Sequence, residues 1–144
     1  MMRRLAVQFV LAAAISVFTM CSNNNGIPVE SNWELESIYF NGSTMTPPED
    51  HAPTLAFLKD SKIAGETGCN RFFGDFTLAG ENLKFENIGS TRMMCPQMQF
   101  ETAYLEVIAN TASYSIDNGK LTLKDNAGNI IALLEKIEPS AMEN

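Results

Sequence analysis

The chain has 144 residues, 45% of them hydrophobic, with 10 basic and 17 acidic side chains and three cysteines. That length makes one domain, able to bury a core without depending on metal or disulfides. The formal charge of −7 repels phosphate backbones and argues against nucleic acid as a partner.

Residues 1–20 read as a signal peptide. Arg3 and Arg4 give a positive start, and Leu5 to Phe18 is apolar except for Gln8 and Ser16, too short for a comfortable membrane span. Phe18-Thr-Met-Cys21 has the form of a bacterial lipoprotein cleavage site, with Cys21 as the lipidated first residue, although Met20 stands where such sites usually carry a smaller residue. The expected location is the bacterial cell envelope, anchored to a membrane through that lipid; secretion as a soluble protein is the alternative. Residues 21–31 hold the lipidated cysteine and a flexible tether. Loss of Arg3 and Arg4 leaves 8 basic against 17 acidic residues, a mature net charge of −9.

Residues 32–137 form the folded domain, and 138–144 a frayed tail. Trp33 to Phe40 alternates as a half-buried strand and ends on the Asn41-Gly42 turn signal. Thr44 to Pro53 reads as a Pro-rich loop. Thr54–Leu58 and Lys62–Glu66 form a hairpin, and Phe76–Leu78 with Leu83–Phe85 a second one. Ile88 to Met94 continues as an irregular strand. A helix follows Pro96, with Phe100, Ala103, Tyr104, Val107 and Ile108 falling on one face and Gln97, Gln99, Glu101 and Glu106 pointing elsewhere. Strands return at Ser113–Ile116, Leu121–Leu123 and Ile130–Leu134, with Asn118-Gly119 and Asn126-Ala-Gly128 as turns. The pattern predicts an α+β domain: a curved antiparallel sheet or open barrel of about seven to eight strands with one main helix packed on it.

Two stretches depart from this alternation. In Gly65-Glu-Thr-Gly-Cys-Asn-Arg-Phe-Phe-Gly74 three glycines imply a tight backbone path, and the paired phenylalanines imply a loop pinned to the core by one or both rings. Ile88-Gly-Ser-Thr-Arg-Met-Met-Cys-Pro96 also ends in a cysteine and carries an arginine. The motif residues Gly68, Cys69, Asn70, Arg71, Phe72 and Gly74, followed by Ser90, Thr91, Arg92, Met94 and Cys95, resemble the META/HslJ-like domain of bacterial envelope proteins. Trp33-Glu-Leu, Asn41-Gly42, Pro53-Thr-Leu-Ala-Phe57, Glu101 and Tyr104 fit the same pattern. The resemblance implies a curved sheet with one helix and a role in envelope stress tolerance, not an activity.

Chemistry finds little purchase. If Cys21 carries lipid, Cys69 and Cys95 remain, an even number in an oxidising compartment; a bridge worth about 3 kcal/mol and two separately buried thiols both stay open. His51 is the single histidine and sits in an acidic, Pro-rich loop, so no base is assigned to either thiol. Met93, Met94, Cys95 and Met98 bring the soft donors that copper(I) prefers, but methionine is more often a core filler. Gly65-Glu-Thr-Gly68 lacks the ending of a phosphate loop. Arg71 and Arg92 suit a half-buried pairing with Glu66, Glu101 or a carbonyl, or else a docked anionic partner. No catalytic residue, metal or cofactor is expected. The reading is a non-enzymatic envelope lipoprotein that binds or supports an envelope protein. Alternatives are a carrier of a small apolar ligand or lipid in a half-barrel lined by Phe72, Phe73, Phe76, Phe85, Phe100 and Tyr104, and a soft-metal binder.

Overall fold

Alternation of apolar and polar residues sets the architecture. The computed structural model describes residues 26–138, so the expected signal peptide, Cys21 and most of the expected tail lie outside the described residues. Strand β1 (Ser31–Phe40) buries Trp33, Leu35 and Ile38 and exposes Glu34, Glu36 and Tyr39, with a register shift between Leu35 and Ser37. Asn41 (φ 49°) and Gly42 (φ 77°) turn the chain into the short β2 (Ser43–Met45), inside the stretch expected to be loop only. A left-handed pair matches the twist of a hairpin, and asparagine and glycine tolerate it best.

Strands β3 (Thr54–Phe57), β4 (Lys62–Glu66), β5 (Arg71–Ala79) and β6 (Asn82–Ser90) follow as an antiparallel meander. After helix α1 (Met98–Ala109) come β7 (Ser113–Asp117), β8 (Lys120–Lys124) and β9 (Ile130–Ile137). β9 pairs with β1, so the expected curved sheet closes into a barrel of eight strands, with β2 as a ninth beside the far end of β1. The seam is thinnest between β6 and β7, whose ladder consists of the Asn82–Ser113 pair. The helix lies between these strands in sequence and buries Phe100, Ala103, Tyr104, Val107 and Ile108, the face that periodicity assigns to it.

Inside the barrel, Trp33, Phe57, Phe72 and Tyr104 are essentially without solvent contact. Phe57 packs edge-on to Phe76 at 5.2 Å between ring centroids, and Phe72 edge-on to Tyr104 at 5.8 Å. Each such side chain contributes about 1.5–3 kcal/mol on burial. The aromatics expected to line a carrier cavity thus fill the interior, apart from Phe73, which is 59% exposed on the outer face.

Three boundaries differ from the sequence expectation. Ile27 is buried and β1 opens at Ser31, so part of the expected tether packs on the domain. Arg71-Phe-Phe-Gly74 is strand rather than loop: Phe72 and Gly74 face inward and Phe73 outward, and the alternation looks broken only because a glycine fills an inward position. A Cβ at Gly74 would lie 2.7 Å from Ile88 Cδ1 and 2.9 Å from the Glu86 carbonyl oxygen, which excludes a larger residue. Finally, Ile88 to Ser90 belong to β6, while residues 91–95 are not strand.

Candidate functional site

Between β4 and β5 the chain reverses in four residues, Thr67-Gly-Cys-Asn70. Thr67 N donates to the Asn70 carbonyl at 2.8 Å, and Thr67 Oγ1 accepts from Asn70 N at 2.9 Å and Cys69 N at 3.3 Å. Gly68 takes φ +94°, and a Cβ there would lie 3.1 Å from the His51 carbonyl oxygen. Both facts call for glycine. The turn therefore aims the Asn70 side chain into the molecule, where it is 1% exposed.

Asn70 uses all of its side-chain polar capacity. Its Nδ2 donates to the Met93 carbonyl at 3.0 Å and to both Glu101 carboxylate oxygens at 2.9 Å. Its Oδ1 accepts from Met93 N at 2.7 Å and Thr91 Oγ1 at 2.9 Å. Thr67 Oγ1 also donates to Glu101 Oε2 at 2.9 Å. One asparagine thus joins the first motif, the second motif and the helix. Glu101 is 5% exposed, held by neutral donors, with no ion pair among the described residues. No buried side-chain nitrogen or oxygen there lacks a partner. Tyr104, one turn further along the helix, donates its hydroxyl to the Thr54 carbonyl at 3.2 Å, and burial pushes its phenol above the ordinary range, so it stays neutral.

Covalent closure accompanies the polar one. Cys69 and Cys95 form a disulfide, with Cα atoms 6.0 Å apart. This decides between bridge and separate thiols. It also removes the thiolate that a copper site would use, and Met94 stands 87% exposed at the surface. No group of three or more His, Cys, Asp or Glu side chains among the described residues could hold a metal ion.

Outside this corner lie the charges. Arg71 meets Glu66 at 3.5 Å, but the arginine side chain is 81% exposed, and such a contact is worth little. Arg92 is exposed and makes no ion pair among the described residues. The expected half-buried arginine role therefore falls to Asn70 instead: Arg71 faces outward on β5, and Arg92 lies in the loop past β6. An open cleft of about 510 Å³ beside the corner brings His51 next to Cys69, Arg71 and Met93, a proximity that the sequence spacing does not suggest.

Of the motif residues, Gly68, Cys69, Asn70, Arg71, Thr91 and Cys95 meet at this corner. Phe72 and Gly74 serve the core, while Arg92 and Met94 point to solvent and Ser90 ends β6 opposite Phe72. Thr67 is the member that sequence reasoning missed; Glu101, expected to point away from the helix's buried face or to pair with an arginine, is instead buried against Asn70 and Thr67. For Thr67 the available signal is its position three residues ahead of Asn70, the spacing of a hydroxyl capping its own turn.

Comparison with known structures supports the same architecture. The chain is similar to a protein from Burkholderia xenovorans solved by NMR, with 23% identity and a TM-score of 0.65 over 76% of this chain and 83% of that one. A second protein solved by NMR shares 28% identity at a TM-score of 0.56, over 74% and 88% of the two chains. A DUF4847 family protein from Bacteroides vulgatus ATCC 8482, known from a crystal structure, shares 13% identity at a TM-score of 0.59, covering 74% and 92%. No curated protein matches the chain significantly. The model of the META domain matches residues 27–138, and the chain belongs to the META domain family.

Proposed function

We propose that this META-domain protein is a non-enzymatic lipoprotein of the bacterial cell envelope, anchored through Cys21, that binds another envelope protein and supports tolerance of envelope stress. The observation that carries the reading is the division of labour at the disulfide corner. Every buried polar group there is engaged inwardly, whereas Arg71, Arg92 and Met94 are held at the surface by a rigid frame and have little to do within the fold. Pre-organised surface side chains lower the entropic cost of association. Within the corner, the sulfurs of Cys69 and Cys95 are bonded to each other, and both Glu101 oxygens accept hydrogen bonds.

The test is crosslinked capture from intact cells, comparing the unaltered protein with Arg71→Ala/Arg92→Ala. A specific envelope partner lost in the double variant supports the proposal. An unchanged capture pattern and an unchanged envelope-stress phenotype overturn it.

A further inference from the structure

Strand register places two rows of outward-facing side chains side by side across five strands. In one row Ile137, Asn32, Ala56, Ala64 and Phe73 are successive cross-strand neighbours on β9, β1, β3, β4 and β5. In the next, Glu135, Glu34, Thr54, Glu66 and Arg71 are neighbours on the same strands. The first row is small and apolar at its centre, where Ala56 is buried and Ala64 half-buried, and rises to an exposed phenylalanine at one end. The second is acidic along most of its length, and Asp50 adds a further carboxylate at the same rim. Between them they shape an open trough of about 860 Å³ on the outside of the barrel.

The rim carries more acid than base. Lys120 answers Glu135 at 3.7 Å at one end of the acidic row and Arg71 stands beside Glu66 at the other, while Glu34 and Asp50 between them have no ion-pair partner among the described residues. On the opposite flank, Lys62 is paired with Asp75. A second copy of this chain would bring more negative charge to the same rim, since the net charge is −7. The dimensions are also selective. Four inter-strand steps span about 19 Å, the length of a helix of about 13 residues. A segment lying across the strands cannot pair with their backbones, so an extended peptide would leave its own amide groups unpaired over alanine methyls. A helix satisfies them internally.

We propose that this trough is a docking site for an amphipathic helix of a partner protein, its apolar face on Ala64 and Phe73 and its basic flank toward Glu34, Asp50 and Glu66. This rests on the binding reading above, but it uses a different set of residues from Arg92 and the methionine loop. The alanine floor lets the helix approach closely, and Phe73, seated over Gly89, supplies the wall. An aromatic at the end of a shallow apolar lane is the usual kind of anchor for such a segment.

The test titrates the isotope-labelled mature chain with a synthetic helix of about 14 residues, leucine and alanine on one face and lysine on one flank, and follows backbone amide shifts by NMR. The expected result is saturable shifts centred on Asn32, Ala56, Ala64 and Phe73, weakening at least about tenfold when the lysines are replaced by glutamates or when the protein carries Ala64→Lys. Glu34→Lys, at an exposed position, gives the same readout if Ala64→Lys disturbs folding. Absence of saturable shifts, shifts centred elsewhere, or equal binding of the acidic helix overturns the inference. Retained partner capture in cells that depends on Arg71 and Arg92 would then leave the binding reading standing without the trough.

Discussion

Asn70 Nδ2 lies 2.9 Å from each carboxylate oxygen of Glu101, a residue 31 positions further along the chain and on a different element. This contact ties the β4–β5 turn to the helix, and it is buried at both ends. Removing either partner strands the other's polar atoms away from water, so Asn70→Ala and Glu101→Ala are each expected to cost about 3 kcal/mol. Because the two changes destroy the same interaction, the double variant should cost less than their sum by about 1–3 kcal/mol. Urea unfolding of the four proteins measures that coupling; strict additivity would show that the two residues act independently.

Two glycines of the motif strands should respond differently to alanine. A Cβ at Gly65 would lie 2.2 Å from the Thr54 carbonyl oxygen and 2.5 Å from the buried Phe72 ring, with neither free to withdraw. Gly65→Ala is therefore expected to destabilise by about 1–3 kcal/mol or more. At Gly89 the conflict is with the exposed Phe73 ring, which can swing outward, so Gly89→Ala should cost less than about 1 kcal/mol. Denaturation midpoints of the two variants provide the comparison.

How much of this was legible in the sequence depends on whether a feature is local. The Asn41-Gly42 and Asn118-Gly119 turns and the apolar helix face follow from neighbours in the chain, and each lies where periodicity puts it. Glu101 does not. It follows Phe100 directly, and sorting the helix by hydropathy sends a carboxylate to solvent, whereas two donors from a turn more than thirty residues earlier draw it inward. Arginine likewise attracts attention in a motif because of its charge. The side chain that organises the corner is the neutral Asn70, whose amide offers donor and acceptor on one short arm. Barrel closure by β1 and β9 pairs opposite ends of the domain, and no local pattern encodes it.

Acid should weaken the fold through two surface aspartates. The Lys62 ammonium, and next the Asn87 amide, hold the Asp75 carboxyl below its ordinary range; the Asn129 side chain and then its backbone N–H do the same for Asp125. A carboxyl depressed in the folded state contributes stability above its unfolded pKa and loses it as pH falls through the folded value. The melting temperature is thus expected to fall below about pH 4, with a shallower decline in Asp75→Asn. Calorimetry between neutral and strongly acidic pH checks this; an unchanged acid limb in the variant would remove Asp75 from the account. Lys120 works in the other sense. Glu36 chiefly raises its pKa, so its contribution persists below the ordinary lysine value and disappears in strong alkali.

Arg71→Ala/Arg92→Ala should leave the fold nearly untouched, because both side chains are solvated and Arg71's contact with Glu66 is a surface pair. The expected change in unfolding free energy is within about 0.5 kcal/mol. A larger loss by urea denaturation would return these arginines to the structural role that their exposure denies them.

The locked corner itself is tested most directly by peptide mapping of the protein, isolated from its host without reductant and alkylated before digestion. A single linked species joining the Cys69 and Cys95 peptides, with neither sulfur labelled, is the expected result. Recovery of both peptides separately, each carrying an alkyl group, would contradict the account at its centre.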